Sequence, residues 1–142
     1  MRCALIPHGD HVGGCAPIID AMPVEMLFDS GQTYNGRAYY DCIASAHTHH
    51  VPIIIARRGM RWISGDGVAL DVLAPSMPLL ADTGDDVNED SVVVMLHAGV
   101  FRELMGDAGE ASESRLLTLC HPSNVEGQRT IRLVAAARRR SG

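Results

Sequence analysis

Residues 7–14 read Pro-His-Gly-Asp-His-Val-Gly-Gly, and the interpretation of the whole chain starts from this stretch. His8, Asp10 and His11 follow an apolar run at residues 4–6 and precede the paired glycines. Neutral imidazole and carboxylate are the nitrogen and oxygen ligands that zinc and similar divalent ions take. In an extended loop, His8 and Asp10 would point to one side and His11 to the other. The stretch predicts a metal-binding loop between a strand and a helix, with an ordinary polar loop as the alternative.

The rest of the chain predicts an α/β domain, because apolar runs alternate with helix-forming segments and glycine- or proline-rich turns. An Asp-Gly turn near residue 66 predicts a hairpin, and a second hairpin is predicted around residue 98. The predicted helices cover residues 15–22, 33–46 and 109–117. The predicted strands cover residues 4–6, 24–29, 51–56, 61–64, 68–73, 91–96 and 100–105.

Residues 8–14 resemble the last part of the His-x-His-x-Asp-His signature of metallo-β-lactamase-fold hydrolases, whose first histidine would fall at Ile6. Residues 70–75, 88–94 and 101–107 are similar to the hydrolase-like domain of ComEC-type competence proteins, which take up DNA. The resemblance covers residues 4–117. It implies a partial metallo-β-lactamase αββα sandwich that is incomplete at both ends, as in a fragment.

This resemblance implies a metal-dependent hydrolase that attacks an ester or a phosphodiester with metal-bound hydroxide, with DNA as a candidate substrate. It implies two divalent ions, Zn2+ or Mn2+. His8 would bind the first ion, Asp10 and His11 would bind the second, and Asp107 would bridge them. Asp10 is also the predicted catalytic residue. For Asp107 the alternative is the N-cap of the helix that follows it.

A non-catalytic remnant, or a binding module with an incomplete metal site, is the competing hypothesis. Isoleucine stands at position 6, and residues 118–142 lack the His-His-Gly-Ser metal motif that the family places there. The domain is predicted to cover residues 1–117, and residues 118–142 are predicted to be an irregular basic tail that arose by a frameshift or a truncation. Apolar faces left exposed by absent strands would favour self-association.

Composition limits the location and the partners of the chain. The 142 residues fit one domain, and a net charge of -5 argues against sequence-independent nucleic-acid binding by the whole surface. Four widely spaced cysteines without a Cys-x-x-Cys motif predict reduced thiols in a cytoplasmic environment. The longest strongly apolar run, residues 51–56, is far shorter than the roughly 20 residues of a membrane span. The sequence therefore predicts a soluble, cytoplasmic protein without a membrane segment.

Three further groups have two interpretations each, and His97 has one. The histidines within residues 47–50 would complement a helix dipole rather than bind metal, and His97 is predicted to be exposed in a hairpin turn. The arginines within residues 57–61 with Trp62 would suit phosphate contact and base stacking, or a solvated strand end. Residues 88–91 would line the site or shape a turn, within an acidic loop at residues 82–90 that is predicted to be a solvated face.

Overall fold

Helices and two β-sheets organise the chain in a computed structural model, which describes residues 2–4, 9–63, 67–98, 100–104, 107–119 and 131–134. The helices are α1 (Gly9–Val12), α2 (Cys15–Ala21), α3 (Arg37–Thr48), α4 (Asp86–Glu89) and α5 (Glu110–Leu119). The strands are β1 (Arg2–Ala4), β2 (Met26–Asp29), β3 (Ile53–Ile55), β4 (Met60–Ile63), β5 (Ala69–Ala74), β6 (Val93–Ala98), β7 (Val100–Leu104) and β8 (Ile131–Val134). The prediction of an α/β chain is confirmed.

The first sheet is parallel, with strand order β1-β2-β3. Parallel neighbours need long crossover connections. Here α1 and α2 connect β1 to β2, and α3 connects β2 to β3. All three strands therefore end at the same edge of the sheet. The segments that contain α1 and Gly31 both follow strands at this edge, which is where open α/β sheets bind their ligands.

The second sheet has the strand order β7-β6-β5-β4-β8, and only the β4–β8 pair is parallel among the pairs that the structure describes. Both predicted hairpins are confirmed: Arg61 pairs with Asp71 across the first, and His97 pairs with Phe101 across the second. The prediction of an irregular tail is wrong at residues 131–134, because β8 pairs with β4 there. Three of its four residues are apolar, which suits a strand despite the surrounding arginines. Helix α5 also runs past the predicted boundary at residue 117.

Side-chain alternation along the strands builds four layers. On β2, Leu27 packs against the helices α1 to α3, whereas its neighbour Phe28 packs between the two sheets with Trp62 and Val94. On β6, Val93 faces the other way and packs against Leu116 of α5. The layers are thus helices, parallel sheet, mixed sheet and helix, and β2 and β6 bury side chains on both of their faces.

The prediction of reduced cysteines is wrong for one pair. Cys15 at the start of α2 and Cys42 in α3 form a disulfide, with their Cα atoms 5.3 Å apart. Both residues are buried in the core between the helices and the parallel sheet. The separation of 27 residues gives no local motif, so the sequence did not indicate the bond. Among the described residues, no helix is long and apolar enough to span a membrane.

Candidate metal centre

Three of the predicted metal ligands converge, although 96 residues separate two of them. The Nε2 atom of His11 lies 2.7 Å from Oδ2 of Asp107 and 3.6 Å from Oδ2 of Asp10. One ligand atom from each of these residues lies within 4.8 Å of the others. It is the only group of three or more histidine, cysteine or acidic residues with this spacing in the part of the chain that the structure describes.

A helical turn presents Asp10 and His11 together. Val12 is completely buried and anchors α1 in the core between the helices and the parallel sheet. The backbone N–H of Gly13 donates to the carbonyl oxygen of Gly9 at 2.9 Å and closes the turn. A Cβ atom at residue 13 would lie 2.6 Å from that oxygen, so only glycine fits there. The predicted extended loop is therefore wrong at residues 9–12, and Asp10 and His11 do not point to opposite sides.

Asp107 follows β7 and precedes α5, so the second sheet delivers its carboxylate to α1. The alternative assignment of Asp107 as the N-cap of α5 is wrong. Helix α5 begins at Glu110, and Glu89 accepts hydrogen bonds from its first backbone N–H groups. The carboxylate of Asp107 contacts His11 instead.

The donor set fits a divalent cation. Two carboxylates and one imidazole supply oxygen and nitrogen donors, which suit zinc and manganese, and three protein ligands leave a coordination position for substrate or water. The side chains of Asp10, His11 and Asp107 are 78%, 34% and 38% exposed, so the cluster is open to small molecules. His8, the fourth predicted ligand, lies outside the described residues, as does Ile6.

His97 and His49 each lie beside an acidic residue outside the candidate centre. His97 lies on β6 with Nε2 at 2.7 Å from Asp71, which also contacts Arg61 at 3.4 Å, so the prediction of an exposed turn is wrong. The strand continues through residue 97, past its predicted end at residue 96. His49 caps α3 at its carboxyl end and lies 3.1 Å from Asp20.

The predicted base stacking on Trp62 is wrong, and the arginines contact backbone carbonyls or, at Arg61, the carboxylate of Asp71. Trp62 is 4% exposed inside the core between the sheets, where no base can stack on it. Arg57 donates to the carbonyl oxygens of Ser30 and Ala56, each at 2.6 Å. Arg58 donates to backbone carbonyls of Leu73 and Leu119, so these half-buried guanidinium groups hold chain segments together.

Sequence reasoning missed two buried carboxylates. Asp90 accepts hydrogen bonds from the N–H of Leu80 and from the side chain of Gln32, and burial raises the pKa of its carboxyl group. The prediction of a solvated acidic face is therefore wrong at Asp90. Asp29, at the carboxyl end of β2, accepts a 2.6 Å hydrogen bond from Tyr39, whose pKa is raised by burial and by this carboxylate. A carboxylate that directly follows an apolar strand was the available signal for Asp29.

Residues 88–91 stabilise the fold rather than line the cluster of Asp10, His11 and Asp107. Glu89 binds the start of α5, whereas Asp90 and Ser91 are buried. The turn reading is therefore the one that these contacts favour.

No protein-family model matches the chain, and no curated protein matches it significantly. Function is therefore argued from the residues and their placement.

Proposed function

We propose that the chain is a divalent-metal-dependent hydrolase of the metallo-β-lactamase type, similar to the hydrolase-like domain of ComEC-type competence proteins. The observation that carries the proposal is the contact between His11 and Asp107 beside Asp10. The resemblance nominated these three residues from separate segments of the sequence, and their convergence is what a shared ligand set requires. The substrate class is an ester or a phosphodiester, including DNA.

Each ligand has a distinct part in the proposed site. Asp10 and Asp107 supply negative charge that would hold a dication in an exposed position, and His11 supplies the nitrogen donor. His8 remains the proposed ligand of the first ion, with Asp10 and His11 on the second and Asp107 between the two. A divalent ion bound there, Zn2+ or Mn2+, would polarise the scissile group and make water nucleophilic near neutral pH. Because the three side chains are partly exposed, a substrate can reach them without a rearrangement of the core.

The order of the layers supports the same type of protein. Helices, two sheets and a further helix follow one another, as the αββα sandwich of that family requires. The turn of α1 follows a parallel strand at its carboxyl end, and Asp107 arrives from the second sheet. A site that both sheets contribute to is consistent with a hydrolase whose ligands come from the two halves of a sandwich.

A non-catalytic remnant or a binding module is the second candidate. Position 6 holds isoleucine where the family has its first histidine. In addition, His11 and Asp107 at 2.7 Å satisfy each other through an ordinary hydrogen bond without a metal. A remnant would retain this pair and bind no cation, and a module would self-associate without turnover.

Metal analysis of the purified chain tests the proposal. The wild type, after exchange into metal-free buffer, should retain stoichiometric Zn2+ or Mn2+ and hydrolyse a generic phosphodiester or ester, and a DNA oligonucleotide tests the narrower substrate. Asp10→Ala and Asp107→Ala should lose both properties. Asp20→Ala is the matched control, because Asp20 also contacts a histidine outside the proposed site. An empty, inactive wild type favours the remnant, and inactive oligomers on size-exclusion chromatography favour the module.

A further inference from the structure

Glu89 at the end of α4 binds the beginning of α5. Its Oε2 atom accepts a hydrogen bond from the backbone N–H of Ser112 at 2.7 Å, and its Oε1 atom accepts one from Ala111 at 3.4 Å. A carboxylate at this end of a helix satisfies N–H groups that have no partner within the helix and complements the helix dipole. The residue therefore joins two segments that are more than 20 residues apart.

The backbone before α5 lies directly against the same carboxylate. A Cβ atom at Gly109 would lie 2.5 Å from Oε1 of Glu89, so the absence of a side chain at residue 109 allows the close approach. Ala108 packs against the core formed by Val93 and Leu116. Asp107 is thus followed by Ala108, which is packed in the core, and then by Gly109, which lies against Glu89.

This arrangement limits where the Asp107 carboxylate can lie. Asp107 meets His11 at 2.7 Å, and a displacement of its backbone by about one ångström would break a contact of that length. Strand β7 ends on the amino side of Asp107. On its carboxyl side, the hydrogen bonds between Glu89 and α5 restrain the chain. Glu89 was predicted to belong to a solvated acidic face, whereas its contacts with α5 give it a structural role.

We infer that Glu89 is a positioning residue, which fixes the start of α5 so that Asp107 reaches the cation held by Asp10 and His11. This inference rests on the proposed function. Glu89 itself is not assigned as a ligand, because its oxygens are bound to the backbone of α5. Groups that orient metal ligands typically change metal affinity by about 10–100-fold when they are removed.

A cobalt titration followed by visible absorption measures both affinity and ligand geometry. Glu89→Ala should bind Co2+ about tenfold more weakly than the wild type, and its spectrum should shift towards that of Asp107→Asn. Glu89→Gln should recover part of the affinity, because its amide oxygen can still accept the Ser112 hydrogen bond. Gly109→Ala should also weaken binding, since the added methyl group would displace the flexible carboxylate while Glu89 remains present.

Two controls separate positioning from a general loss of stability. Glu113→Gln makes the same charge change at an exposed residue in the first turn of α5, and should leave cobalt binding unchanged. Phe28→Ala should lower the thermal midpoint through the core between the sheets, which contains neither Val12 nor Ala108, while leaving the cobalt spectrum unchanged at a temperature where the variant is folded. If Glu89→Ala does not fold, Gly109→Ala and Glu89→Gln provide the test.

The possible failures are distinguishable. Wild-type affinity and spectrum in both Glu89→Ala and Gly109→Ala would overturn the positioning role and leave the proposed function standing. Equal weakening in Phe28→Ala would overturn it as well, because stability alone would then explain the loss. A wild type that binds no Co2+ would overturn the proposed function, and the positioning role with it.

Discussion

Replacing Asp107 with asparagine separates a metal centre from an ordinary ion pair, because the two assignments predict opposite results. Without metal, the contact with His11 joins side chains that are 34% and 38% exposed. Such pairs contribute about 0–1 kcal/mol. For 142 residues the entropy of unfolding is about 0.3 kcal/mol/K, so the melting temperature of the metal-free variant should fall by about 3 °C at most.

With metal, the expected effect is larger. An ion that binds only the folded chain stabilises it by about 2.7 kcal/mol at a free concentration of 100 times Kd, which corresponds to about 9 °C here. Loss of one carboxylate ligand that weakens binding about a hundredfold would leave about 0.4 kcal/mol, or roughly 1 °C. Asp107→Asn should therefore remove most of the stabilisation by metal while hardly changing the metal-free protein.

Thermal unfolding followed by circular dichroism, with and without Zn2+ or Mn2+ after EDTA treatment, is the assay. Asp20→Asn is the control, because Asp20 and His49 form another exposed contact, at 3.1 Å, that is outside the proposed centre. It should retain the full metal-dependent shift. A wild type that does not respond to either ion, or an Asp107→Asn variant that keeps the complete shift, would refute the reasoning. A metal-free loss above about 2 kcal/mol would assign the pair to structure instead.

Three further predictions test the fold around the site. Phe28→Ala should lower the free energy of unfolding by about 3–5 kcal/mol in urea, because Phe28 fills the core between the sheets; a loss below about 1 kcal/mol would contradict that layering. Burial raises the pKa of Asp90, so the wild type loses stability as pH rises through the pKa of this group in the folded state. A variant with asparagine at this position has no such loss, because asparagine cannot ionise. The stability of Asp90→Asn relative to the wild type should therefore improve between about pH 3 and pH 7, and a deficit that grows with pH would count against this explanation. Reduction of the Cys15–Cys42 bond, which closes a loop of 27 residues, should lower the free energy of unfolding by about 3–4 kcal/mol. If peptide mapping confirms the bond but reductant leaves the denaturation midpoint unchanged, the chain-entropy argument fails.

The sequence predicted elements whose signals are local. The hairpin of β4 and β5 follows from two apolar runs around an Asp-Gly turn, and α2 was predicted within one residue of its observed end at Ala21. Helix α3 was less well predicted, since the prediction covered residues 33–46, whereas the helix begins at Arg37 after Gly36 in an extended conformation. The extended glycine directly before Arg37 sets the observed start.

The candidate site could be nominated from the sequence but could not be assembled from it. The resemblance selected Asp10, His11 and Asp107, yet only the packing of two sheets brings the third residue to the other two. The predicted extended geometry of the loop that carries Asp10 and His11 was wrong for a physical reason. Gly13 closes the α1 turn against the carbonyl oxygen of Gly9, so these residues form a helical turn and not the predicted extended loop.

The acidic residues of this chain differ in their ability to bind a cation because the fold gives their carboxylates different partners. Asp90 is buried and accepts hydrogen bonds from Leu80 and Gln32, and Glu89 accepts bonds from the backbone of α5. A cation at these oxygens would compete with donors that maintain the fold. Asp10 and Asp107 are partly exposed and adjoin the imidazole of His11, which is itself a metal ligand by type. A cation there would replace one weak ion pair rather than several structural hydrogen bonds. Metal affinity is therefore a more direct test of this site than hydrolysis, which also requires the right substrate.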